Sequence, residues 1–146
     1  MGRLLAPLLI ASVGVAANGC APDDPEASVR AFLAAAETAA EARETGFFRD
    51  AISPSYVDRR GQRRDDLIDV IRGVFLTNAS IDVLSRIETI ELAGEDAATV
   101  KLQAALVGKR EGASLLDVDG DLYRIELELV RESGAWSVIG ADWERL

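Results

Sequence analysis

The sequence contains no histidine, a single cysteine and a single methionine among 146 residues. Without histidine, the usual general base near neutral pH and the commonest metal ligand are both missing, so acid–base chemistry would fall to Asp, Glu, Tyr or Lys at shifted pKa. No cofactor and no metal site is expected. One cysteine excludes an internal disulfide. Basic residues are also scarce: 16 Lys and Arg against 25 Asp and Glu give a formal net charge of -9. That balance argues against nucleic acid as a partner, because phosphate binding needs a basic footprint. A run long enough to span a bilayer is missing too. The longest apolar stretch, residues 4–17, has 14 residues, where a spanning helix needs roughly 20. What remains is ordinary for one globular domain: 49% hydrophobic and 28% charged, enough to bury a core.

The apolar stretch follows Arg3 and ends in small residues before Cys20. A short positive segment, an apolar segment and a small-residue end form a secretory signal layout, to be left out of fold reasoning. Ala17-Asn18-Gly19-Cys20 resembles the lipobox of bacterial lipoproteins, although Ala17 stands where Leu is favoured. The resemblance implies removal of residues 1–19, a diacylglyceryl group on the Cys20 thiol and a membrane anchor. It also explains a lone cysteine in an exported chain. Ala21 after Cys20 resembles the outer-membrane sorting pattern of Gram-negative lipoproteins, which implies a protein of the cell envelope facing the periplasm. Residues 20–24 form a short tether, and the domain is expected over 25–146. Three residues, Ala21-Pro22-Asp23, reach about 10 Å, so the tether would hold the domain close to the bilayer.

Asp24-Pro25-Glu26 predicts a helix start: an N-cap, a proline at the first helical position and an acid in the first turn. The spacing of Val29, Phe32, Leu33, Ala36 and Ala40 predicts one apolar stripe on a helix over about 25–43. Thr45-Gly46 is expected to interrupt it. A short second helix would turn Phe47, Phe48, Ala51 and Ile52 inward and stop at Ser53-Pro54. A third helix opens at Asp65-Asp66, with Leu67, Ile68, Ile71, Val74 and Phe75 on its buried face and Gly73 suggesting close packing. After Asn78 the period becomes two, predicting strands over 81–92, 97–109, up to about 131, and 136–143. Gly140 suggests a bulge or bend, which leaves the facing of Trp143 open. Asp117-Val118-Asp119-Gly120-Asp121 is similar to the start of a calcium loop, with Glu128 at the twelfth position. Leu122 stands where that loop needs glycine, so a strand entry is the expectation.

Between the second and third helices lies the most unusual stretch, with Arg59, Arg60, Arg63 and Arg64 in an otherwise acidic chain. One reading is an anion or headgroup site; the other is a solvated loop whose arginines pair with Asp58, Asp65 and Asp66.

Three helices, a Ser53-Pro54-Ser55-Tyr56-Val57-Asp58-Arg59-Arg60-Gly61 turn and four strands, the last carrying Gly134-Ala135-Trp136-Ser137-Val138, resemble the nuclear transport factor 2-like superfamily, with its ketosteroid isomerase and polyketide cyclase types. The resemblance implies an α+β fold: three N-terminal helices packed on a strongly curved, four-stranded antiparallel sheet, with room for one further short strand, shaped as a cone with an apolar pocket at its open end. It implies binding modules, isomerases or cyclases, and homodimers formed through the sheet. Arg124, Glu126, Glu128 and Lys101 make the outer sheet face charged, which argues against a large hydrophobic interface there. The lack of histidine excludes the histidine-dependent dehydratase type. Tyr56, Asp58, Tyr123, Asp142 and Arg86 are the candidates for a carboxylate base and hydrogen-bond donors. Each also has a plainer place, as an aromatic of the core, a turn former or a sheet-surface charge. The expectation is a membrane-tethered, non-catalytic envelope lipoprotein binding a small apolar or lipid-like ligand or a partner protein. The alternative is an isomerase or cyclase acting on a carbonyl substrate through carboxylate and tyrosine groups in the cone. An enclosed apolar pocket with two or more convergent acid or donor groups would favour the enzyme, and a filled cone would eliminate it and leave surface interaction.

Overall fold

The computed structural model describes residues 24–110 and 119–146. The expected signal segment, Cys20, the expected tether as far as Asp23 and the beginning of the calcium-like stretch lie outside the described residues. Three helices, α1 (Pro25–Glu41), α2 (Thr45–Ala51) and α3 (Arg64–Thr77), precede four strands, β1 (Ser80–Leu92), β2 (Ala97–Lys109), β3 (Asp119–Glu132) and β4 (Ala135–Arg145). The strands form one antiparallel sheet in the order β1-β2-β3-β4.

The α1 helix begins as its sequence dictates. Asp24 accepts the Glu26 amide at 3.0 Å, and Pro25 needs no partner for its nitrogen. It ends before Thr45-Gly46. Arg43 takes a left-handed conformation (φ 55°), its amide bonds to Ala40 O, and the Glu44 amide bonds to Ala39 O. This is a Schellman ending built on an arginine where glycine is usual. Gly46 instead sits in the first turn of α2. The α3 helix starts at Arg64, with the Asp66 carboxylate accepting the Arg63 amide at 2.9 Å. Gly73, expected to mark close packing, faces open space.

In the sheet, Val100, Leu102 and Ala104 of β2 point at the helices and are buried, while Lys101 is exposed. β4 carries one extra residue: Glu128 pairs with Gly140 and Leu129 with Val138, so Ile139 bulges out. That bulge turns Ala141 and Trp143 to the helix side and Asp142 to the outer side. Leu122 lies within β3 opposite Ala105, so the residues after Asp121 continue as strand rather than closing a calcium loop. Beyond the four strands, Ile52 makes an isolated parallel bridge to Val138.

The core is asymmetric along the strands. Val29, Leu33, Val100, Leu129 and Trp136 fill the end where α1 begins. There the Ser28 hydroxyl accepts from Trp136 Nε1 at 2.8 Å and from Arg131 Nη2 at 2.9 Å. At the other end of α1, Glu41 accepts the Val83 amide and Arg43 donates to Asn78 O. Between α1 and the sheet at that end, the cone is hollow.

Candidate functional site

The hollow is a cavity of about 380 Å³, within the size range of small-molecule sites. It is lined by Phe32 and Leu33 from α1, Phe47 and Phe48 from α2, Leu67, Val70 and Val74 from α3, and Leu106, Tyr123, Leu127, Val138 and Trp143 from the strands; Val70 lies outside the face that periodicity turned inward. All 4 phenylalanines of the chain line it. Their rings form a chain in which Phe47 meets Phe48 edge-on at 5.4 Å, and Phe48 meets Phe75 at 5.8 Å. Such pairs add to area burial and stiffen the wall. Among the described residues lining the cavity, only Tyr123 and Trp143 carry a polar side-chain atom, and none carries a charge. The cavity opens between α3, where Val70 and Val74 are exposed, and the strand ends bearing Leu106, Tyr123 and Trp143.

The candidate catalytic residues do not converge there. Tyr123 alone reaches the cavity wall, and its hydroxyl donates to Asp121 at 3.1 Å. Burial first, then the hydrogen bond to Asp121, raises its phenol pKa above the ordinary value. Tyr56 is 1% exposed and packs with Ile52 and Ile68 behind the lining. Its phenol is pushed up to about 12, chiefly by burial and then by the Asp58 charge. Asp58 is buried and serves the turn: Oδ1 accepts the amides of Arg60 and Gln62, each at 2.8 Å. Asp142 lies on the outer sheet face, directly opposite Glu126, and Arg59 bridges the two carboxylates at 2.9 Å each. A polar cleft of about 30 Å³ beside them has room for about one water. Arg86 is exposed on β1.

The arginines pair with neither Asp65 nor Asp66 nor the Asp58 carboxylate. Arg59 belongs to the outer-face network, where Lys101 also approaches Glu126 at 3.8 Å. Arg64 donates to Arg49 O at the end of α2, and the Arg63 amide meets Asp66. Arg60 stacks 4.7 Å from the Trp143 ring and donates to Trp143 O at 2.8 Å. The loop climbs along β4, from the Ser53 amide on Val138 O to the Val57 amide on Ile139 O and then to Trp143. It therefore lies toward the cavity mouth, about 20 Å along the strand from Trp136 at the filled end.

No protein-family model matches the sequence, and no curated protein matches it. Solved structures do. A candidate scytalone dehydratase from Novosphingobium aromaticivorans superposes with a TM-score of 0.74 at 9% identity, covering 83% of each chain. A candidate dehydratase of the nuclear transport factor 2-like family from Streptomyces avermitilis gives 0.72 at 14% identity, over 86% of this chain and 99% of that one. A ketosteroid isomerase-like protein from Erwinia carotovora atroseptica gives 0.66 at 16% identity, over 85% and 98%. With three helices on a four-stranded meander, filled at one end and hollow at the other, this chain has the nuclear transport factor 2-like cone fold.

Proposed function

We propose that this protein is a membrane-tethered lipoprotein of the cell envelope whose cone binds a small apolar or lipid-like molecule without transforming it. The observation that carries the binding half is the cavity itself: about 380 Å³, rich in aromatic rings, with no carboxylate among its described lining residues. An isomerase or cyclase needs a base within hydrogen-bond reach of the reacting carbon. Here Asp58 gives Oδ1 to a turn and lies outside the cavity lining, and Asp142 is bound to Arg59 on the far side of the sheet. The tethering half rests on the residues before Cys20 and on the lone thiol.

The direction of α1 bears on how such a tether would orient the domain. Asp24 stands at the filled end of the cone, and α1 runs about 25 Å from there toward the hollow end. A lipid on Cys20 would hold the filled end at the bilayer and turn the mouth, with the arginine loop beside it, toward the aqueous side. Ligand would then enter from solution or from a carrier. This geometry weighs against lipid headgroups as the partners of Arg59, Arg60, Arg63 and Arg64.

Mass spectrometry of protein extracted from its native membrane tests both halves. The expected result is an acylated N-terminal Cys20 and a co-purifying apolar molecule released by denaturation. An unmodified Cys20 would remove the tether. Conversion of a carbonyl substrate by the parent protein that is lost in an Asp58→Ala variant folded like its parent would overturn the non-catalytic reading.

A further inference from the structure

We infer that the ligand is a single-chain amphiphile with an anionic head, its tail in the cone and its head on the Arg60 guanidinium. This deepens the binding reading and rests on it. Arg60 stands one ring's thickness from the cavity, stacked on Trp143, which is itself part of the wall. Its side chain is exposed, and among the described residues no carboxylate pairs with it; the Trp143 carbonyl takes one of its donors. Arg59, one residue earlier, is held by two carboxylates. The turn positions the cation: Asp58 fixes the Arg60 amide, and the bond to Trp143 O fixes the far end of the side chain. The guanidinium keeps donors free for a planar or tetrahedral anion.

The acids at this end of the sheet are already neutralised. Asp121 is engaged by Arg145 and by the Tyr123 hydroxyl, and Glu144 by Arg124. An anionic head at the mouth therefore meets one unpaired cation, with Asp121 and Glu144 both engaged and Asp58 buried beneath the turn. An uncharged ligand would use the cavity but leave Arg60 without a role. A volume of about 380 Å³ favours one chain over two.

The test is isothermal titration of the full chain with octanoate and with octanol, which share a tail and differ in head charge. Octanoate should bind about fivefold tighter at low salt, the upper end for an exposed charge pair, and the gap should shrink as salt screens it. Arg60→Gln should erase the preference, with an unchanged circular dichroism spectrum and melting temperature reporting that the cone is intact. Arg60→Lys should keep part of it. If octanol binds as tightly as octanoate, or Arg60→Gln retains the preference, the headgroup assignment is overturned while the apolar site stands. If neither amphiphile binds, the binding reading fails and this inference fails with it.

Discussion

Tyr56 is the residue whose chemistry departs furthest from its ordinary value. Its hydroxyl is buried and has no hydrogen-bond partner among the described residues, and its phenol is pushed up to about 12. An unfolded chain ionises the phenol near pH 10. Between those values the unfolded state binds fewer protons, so stability falls as pH rises from about 10 through 12 and is flat below 10. Tyr123 titrates in a raised range as well, so the comparison is with Tyr56→Phe. That variant should match the parent or exceed it by up to about 1 kcal/mol at pH 8, since it removes an unsatisfied buried hydroxyl. Its stability should fall less steeply above pH 10. Urea unfolding at pH 8 and pH 11 measures both; a loss well beyond 1 kcal/mol at pH 8 would mean that the hydroxyl is bonded. The same residue shows why site chemistry was hard to read from sequence. Tyr56 and Asp58 are two residues apart in a turn-forming stretch, which fits a catalytic pair and a structural turn equally well. Only the direction of the side chains separates these, and the turn takes Asp58 Oδ1 for two backbone amides.

At the level of elements, α3 and the sheet meet at a contact that spacing alone does not announce. A Cβ on Gly108 would lie 2.3 Å from Asn78 Oδ1 and 2.9 Å from its Cγ. Asn78 closes α3: its Nδ2 donates to Val74 O at 2.8 Å, satisfying a carbonyl of the last turn. Gly108→Ala should therefore push Asn78 off the helix end and cost about 1 kcal/mol, as should Asn78→Ala. The pair should be strongly non-additive, because in the double variant alanine at 108 meets no side chain and favours the strand. Thermal unfolding of the four proteins decides it; additive losses would mean that the two sites act separately. Most elements were legible because the sheet has one face on the helices and one in water, which imposes strict alternation: β2 runs over 97–109 as its pattern predicts. Breaks were less legible. Gly46 carries the usual signal for a helix end, yet Arg43 accepts the left-handed geometry, held by the Glu44 amide on Ala39 O. Gly73 reads as a packing contact and has none.

For the molecule as a whole, the hollow end is invisible in the sequence for a physical reason. Leu127 and Val138 line a cavity and Leu129 fills a core, but all three satisfy the same alternation of apolar and polar residues. Whether facing side chains meet depends on sheet curvature, and the facing of Trp143 depends on the Ile139 bulge. The resulting polarity, filled end with Asp24 and open end with Trp143, makes the proposed orientation on a membrane testable. Acylated protein in vesicles containing bromine-labelled lipid should show unequal quenching of its two tryptophans. Trp136 sits beside Ser28 in the first turns of α1, whereas Trp143 lies about 20 Å further along β4. Quenching by bromine is short-ranged, so variants retaining only Trp136 should be quenched more than variants retaining only Trp143. Trp143→Phe and Trp136→Phe provide the two single-tryptophan chains. A stronger effect on Trp143 would place the mouth on the bilayer, allow the cone to draw its ligand from the membrane, and return the arginine loop to the headgroups. Equal and negligible quenching in both would mean that the domain stands off the surface on an extended tether, and the close-docked orientation would fall.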